Sequence, residues 1–203
     1  MIAAGVLAMP SQVISTPSRG GILRRFRRNR RGSAAIEFAL IAPVFCGLLF
    51  AIFETALMFL ASQVLETVTQ DSARMVLTGQ AQNGQLPPCP PEAPCTTPQA
   101  QFKHYVCSQI PAALFDCNGL YVDVESYSAF ASVNLSSHID AAGNFDTNMN
   151  YSPGNAGDIV VVRMFYQWPL YVTGLGYNIA NLAGSKRLLV ATSAFKNEPY
   201  LIP

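Results

Sequence analysis

The longest apolar pattern in the chain runs from Ser33 to Ala61, 29 residues that carry only two charges, Glu37 and Glu54. At about 1.5 Å of rise per residue this run exceeds the roughly 30 Å hydrocarbon thickness of a bilayer, so it predicts a helix that crosses a membrane. The pattern then changes without stopping. "SQVLETVTQDSARMVLTG" is polar overall but keeps Val64, Leu65, Val68, Met75 and Val76 on one stripe at helical spacing, interrupted at Ser72. Thr78 and Gly79 end it, with the glycine serving as a left-handed cap. One long helix is predicted: 33–61 in lipid, 62–79 as an amphipathic continuation against protein.

Residues 80–101 have a different character. Six prolines between Pro87 and Pro98, among Gln, Asn, Gly and Thr, predict an extended loop. "QFKHYVCSQIPAALF" follows and predicts one short helix that ends near Pro111. Three strands are then expected. In "LYVDVESY", Leu120, Val122 and Val124 alternate with Tyr121, Asp123 and Glu125, which predicts a strand with one wet face. In "DIVVVRMFYQW", Val160, Val162, Met164, Tyr166 and Trp168 make one apolar face, with Arg163 and Gln167 on the other. "RLLVATSAFK" is short and apolar enough to lie centrally in a sheet. The Gly/Asn/Asp/Ser-rich stretch 134–158 reads as a long loop or irregular hairpin. Residues 102–203 are therefore expected to form an α+β domain, an antiparallel sheet packed on the upper half of the long helix.

Charge divides the chain in the same way. Seven of its thirteen basic residues precede Gly32, where there is no acid. From Ser33 onward six basic residues face twelve acidic ones, a net charge of −6. The leader 1–32, with Pro10 and Pro17 interrupting any helix in its first part, is read as cytoplasmic by the positive-inside rule, and everything beyond Ala61 as outside. A cleaved secretory signal peptide would have an apolar core about half as long, ending at a small-residue cut site. Nucleic acid is set aside as a partner because the arginines abut an apolar helix and not a folded reader.

Four of the five cysteines, Cys89, Cys95, Cys107 and Cys117, follow the crossing, where an oxidising periplasm favours disulfides. Of three connectivities, Cys89 with Cys95 and Cys107 with Cys117 are preferred because each closes a short loop. The spacings do not suit structural zinc, and no metal or cofactor is expected. Cys46, within the membrane run, reads as a small buried hydrophobe.

An acid inside an apolar helix is costly and normally has a partner or a task. For Glu37 the plain reading is an acid in the first helical turn, favoured by the helix dipole. For Glu54 it is a carboxylate at the level of the outer headgroups. Pro43 either bends the helix for packing or is merely tolerated there.

The residues around Glu37 add more. An arginine-rich leader, then Gly32 and Ser33, with Glu37 and Phe38 at the fifth and sixth positions after the glycine and an apolar helix following, resembles the processing site of type IV prepilins. That resemblance implies cleavage after Gly32 by a membrane prepilin peptidase. It implies also that Glu37 meets the free amine of a neighbouring subunit, an ion pair that sets register more than it adds stability. "RRGSAAIEFALIAPVF", with Pro43 and Glu54, is similar to the N-terminal signature of the TadE-like minor pseudopilins of the tight-adherence (Flp) pilus system, and the endings "VVVRMFYQWPL" and "LLVATSAFKNEPY" are similar to theirs, with Asn197, Glu198 and Pro199 closing the last strand. The family implies a non-catalytic envelope component for pilus biogenesis, adhesion and biofilm formation. Its partners would be other pilins and pseudopilins, the inner-membrane assembly platform and membrane lipid.

Enzymatic motifs do not compete. His104 and His138 have no ligand partners at helical spacing, "SSHID" (136–140) lacks a nucleophile elbow, and there is no phosphate-binding glycine loop. The competing class is a signal-anchored binding module, an uncut helix tethering a periplasmic domain whose Tyr166, Trp168 and Tyr171 would line a ligand site or, more simply, pack in the core.

Overall fold

The computed structural model describes residues 33–173 and 177–200. The chain divides into two units, residues 1–46 and 47–203. In the first unit the described residues are all helical, the opening turns of α1 (Ser33–Leu77), which passes through Pro43 without a break in its secondary structure. The leader and Gly32 lie outside the described residues.

The second unit is built on the rest of α1. Its buried positions include Glu54, Met58, Ala61, Leu65, Val68, Ser72 and Val76, an alternation of three and four residues widened by Thr69 and Ala73, which keeps one stripe facing inward. The stripe anticipated from Val64 therefore starts ten residues earlier, at an acid. It packs on one face of a three-stranded antiparallel sheet of order β1 (Leu120–Tyr127), β2 (Ile159–Pro169), β3 (Lys186–Lys196). Pairing sets Val122 opposite Met164 and Met164 opposite Ala191, so that these side chains share the face that meets α1. β2 is the central strand and β3 an edge. The expectation of a central β3 fails because its alternate residues are not all covered: Val190 is half exposed between buried Leu189 and Ala191.

The opposite sheet face is not wet, as the alternation in β1 suggested. Residues from the 134–158 stretch fold over it, and Phe165, Leu182 and Leu188 make a second apolar cluster with Tyr121, Ile139, Phe145 and Met149. Asp123 is fully buried beneath this cover. Its Oδ2 accepts from Arg163 Nε at 3.1 Å and Nη2 at 2.8 Å, and its Oδ1 accepts from the Asn150 backbone N–H at 2.8 Å. A buried carboxylate is tolerable only with such pairing. Residues 150–152 also cover the free edge of β1, through Val124 N–H to the Asn150 carbonyl (2.9 Å) and Ser152 N–H to the Val124 carbonyl (2.8 Å).

The second helix, α2 (Pro98–Gln109), begins inside the stretch anticipated as loop. Proline at the first helical position is preset for the helix, and the Thr97 hydroxyl accepts from Ala100 N–H at 3.1 Å, so the last proline of the run starts the helix. Phe102 and Val106, four apart, are its buried contacts. A disulfide joins Cys107 to Cys117 at the entry to β1, and another, Cys89–Cys95, closes the proline-rich loop, each with Cα atoms 5.7 Å apart.

At the far end of α1 the cap is Gly79, with φ +77°. A Cβ there would lie 2.4 Å from the Tyr200 ring, so both backbone and space require glycine. The C-terminal "NEPY" closes the same end. Glu198 N–H donates to the Leu77 carbonyl at 2.9 Å, and buried Asn197 donates to the Pro153 and Asn155 carbonyls at 2.9 and 3.0 Å.

Candidate functional site

The feature of α1 that needs explaining is its bare apolar surface. Ile36, Phe38, Leu40, Ile41, Val44 and Phe45 are exposed in the first unit. Leu48, Phe50, Ile52, Phe53, Leu57, Phe59 and Leu60 are exposed in the second. Past Leu60 the exposed residues of the helix turn polar, at Gln63, Thr67, Gln70, Asp71 and Arg74. With Leu49 these are fourteen large apolar side chains, and leaving them in water would be prohibitive at about 25 cal/mol per Å². The helix is long and apolar enough to cross a membrane. Cys46 belongs to this exposed surface, which corrects its reading as a buried hydrophobe.

Glu37 is exposed on the same helix and Phe38 beside it is 73% exposed. With α1 starting at Ser33, no acid falls in the first turn, so the simple dipole reading of Glu37 loses its footing. Gly32, the other half of the anticipated cut site, lies outside the described residues.

Glu54 is placed quite differently from Glu37. It is 7% exposed, covered by the protein itself. Its carboxylate accepts from the backbone N–H of Tyr171, and from that of Val172 at 3.3 and 3.2 Å. One turn of helix is thus locked to the segment that leaves β2, and the neighbouring Thr55 hydroxyl bonds the Tyr177 hydroxyl. Two backbone amides satisfy a buried carboxylate without a cation, and charge-assisted bonds of this kind are the stronger sort. Sequence reasoning missed the latch because its partners are main-chain groups more than a hundred residues away; only the placement of Glu54 at the head of the buried stripe hints at it.

The three aromatics considered for a ligand site separate. Tyr166 and Trp168 pack with Phe115, at ring separations of 4.8 Å (Tyr166–Phe115) and 6.3 Å (Trp168–Phe115), against the core. Tyr171 is 85% exposed. His138, in the "SSHID" stretch, is half-buried and packs against Phe165 with ring centroids 4.7 Å apart and planes inclined at 59°, so it belongs to the cover of the sheet and not to solvated loop. Among the described residues no group of three or more His, Cys, Asp or Glu is arranged to hold a metal. A shallow open cleft between α2 and β1, lined by Gln99, Lys103, Tyr121 and Asn150, is polar. Burial there lowers the Lys103 pKa, and Asp116 acts against that shift.

Neither a curated protein nor a solved structure matches the chain. A family model does, over the segment that carries the bare apolar surface, Glu37, Glu54 and most of the buried stripe: residues 32–74 match that of the TadE-like protein, and in this segment the chain is similar to that family.

Proposed function

We propose that this chain is a non-catalytic, pseudopilin-like component of tight-adherence (Flp) pilus biogenesis. It is held in the inner membrane by α1 with its N-terminus in the cytoplasm and its sheet domain in the periplasm, and it acts through helix-mediated assembly with other pilins and pseudopilins on the inner-membrane platform. Adhesion and biofilm formation follow from that assembly. The observation that carries this reading is the bare apolar surface of α1, which bears Glu37 and Phe38, follows the sequence Gly32-Ser33 and lies in the segment that matches the TadE-like model. In lipid that surface is solvated, and in an assembled fibre it packs against other helices. Glu37 then has a physical task, since an amine freed at Ser33 of a neighbouring copy would neutralise it in an otherwise dry environment.

The test is the mass of the N-terminus in membranes from cells with and without the prepilin peptidase. The proposal expects a chain starting at Ser33 only when the peptidase is present. An intact arginine leader in both strains would instead support an uncut tether carrying a periplasmic binding domain.

A further inference from the structure

The buried stripe and the bare apolar surface overlap along α1. The stripe starts at Glu54, yet Leu57, Phe59 and Leu60, which lie beyond it, are still exposed and apolar. From Ala34 to Leu60 the bare surface is about 40 Å long, more than the roughly 30 Å of hydrocarbon and close to the roughly 40–45 Å that includes both headgroup layers. Its last 10 Å or so, from Glu54 to Leu60, therefore falls in the outer interfacial layer. Over that same length the other side of the helix is already occupied by protein, through the amides of Tyr171 and Val172 on Glu54 and the Tyr177 hydroxyl on Thr55. Part of the folded domain thus sits at a depth where the helix is still dressed for lipid.

The composition of that end of the domain suits the place. Tyr171 is 85% exposed, although its backbone is tied to a buried acid. Between Tyr177 and the helix runs an apolar groove of about 470 Å³, walled by Leu48, Ile52, Ala56 and Phe59, which fits an acyl chain. The sheet register sets Lys186 opposite Pro169 and Arg187 opposite Trp168, so two of the six basic residues beyond Gly32 lie at this end of a domain that is otherwise acidic. Tyrosines beside lysine and arginine are the residues enriched where proteins meet headgroups.

We propose that the end of the sheet domain formed by Leu170–Thr173, Tyr177, Lys186 and Arg187 is a second membrane contact, seated in the outer interfacial layer beside α1 and taking phospholipid. The Glu54 latch would hold it at that depth. This inference rests on α1 crossing the membrane, and its test separates the two.

Spin labels are placed one at a time at Tyr171→Cys, Phe50→Cys and Phe130→Cys in the full chain carrying Cys46→Ser, with both disulfides kept. The protein is reconstituted in vesicles of phosphatidylethanolamine and phosphatidylglycerol, and collision rates with oxygen and with a water-soluble nickel complex are measured. Phe50 reports the crossing itself. Phe130 is exposed beyond Tyr127, at the end of β1 remote from Glu54. The proposal expects the label at position 171 to collide with nickel several-fold less than the one at 130, on the order of threefold or more, while keeping oxygen access. Equal nickel access at 171 and 130, with position 50 shielded from nickel, would overturn the second contact and leave the crossing intact. Shielding of 171 from both reagents would overturn it in favour of a protein partner. Nickel access at position 50 would remove the crossing, and the second contact with it.

Discussion

The two halves of α1 belong to one helix and differ in composition and surroundings. From Ala34 to Leu60 the helix is apolar almost all round, with large side chains exposed; from Ala61 to Leu77 it is polar on one side and buried on the other. An acid lies near each end of the lower half, and the two are placed differently. Glu37 lies on an exposed surface, while Glu54 is sealed by backbone amides. The difference shows that apolar content alone does not tell the bare part of the helix from the part packed on protein. What tells them apart is whether polar residues occupy a full face, as Gln63, Thr67, Gln70 and Arg74 do above Leu60 and nothing does below it.

The strongest way to break this contrast is to loosen the sheet under the upper half. Asp123→Ala strands the buried Arg163 guanidinium, and breaking such a pair costs about 3–5 kcal/mol. In detergent, hydrogen exchange at Leu65–Val76 is expected to rise sharply while exchange at Ala34–Phe53 stays as in the unaltered chain. Equal acceleration of both would mean that the lower half also depends on the domain.

Next in size is the latch. Glu54→Ala leaves the amides of Tyr171 and Val172 without their acceptor, a loss of about 1–3 kcal/mol. Thermal melting is expected to fall accordingly, and Glu54→Gln, which keeps one acceptor oxygen, to fall less. Gly79→Ala is expected to cost about 1–3 kcal/mol through its left-handed backbone and the Tyr200 ring. In a Tyr200→Ala background only the backbone part should persist, which a double-mutant cycle measures.

The smallest effect is electrostatic and belongs to the covered sheet face. Burial alone would raise the Glu125 carboxyl, but hydrogen bonds from Tyr127 and Asn150, then the charges of Arg163 and His138, outweigh it and hold the pKa below its ordinary 4.5. A group whose folded pKa is depressed contributes stability above its unfolded value and loses it as pH falls through the folded one. Stability is therefore expected to decline as pH drops below about 4.5, and Glu125→Gln to flatten that decline. A profile unchanged by the substitution would mean that other carboxylates carry the acid response.

Much of the fold was legible. The alternation in "LYVDVESY" and the apolar face of "DIVVVRMFYQW" locate β1 and β2 to within a residue, and Gly79 marks the end of α1, because each signal is local. Long-range features were not legible. The cover on the second sheet face comes from a stretch whose Asn, Asp, Ser and Gly residues look like open loop, while Ile139, Phe145 and Met149 within it supply the apolar contacts. Met58 and Ala61 are buried within an apolar run, so nothing in the pattern announced where the stripe began. For the candidate site, Glu37 and Phe38 stand out by their company in the sequence, whereas Glu54 is explained only by main-chain groups that follow β2.

The central claim is that Glu37 acts between copies and Glu54 within one. The direct test is to count pili on cells producing Glu37→Ala in place of the unaltered chain, with its membrane level and its N-terminus measured in parallel. The account predicts a stable, processed protein and no pili; normal piliation by that variant would contradict it.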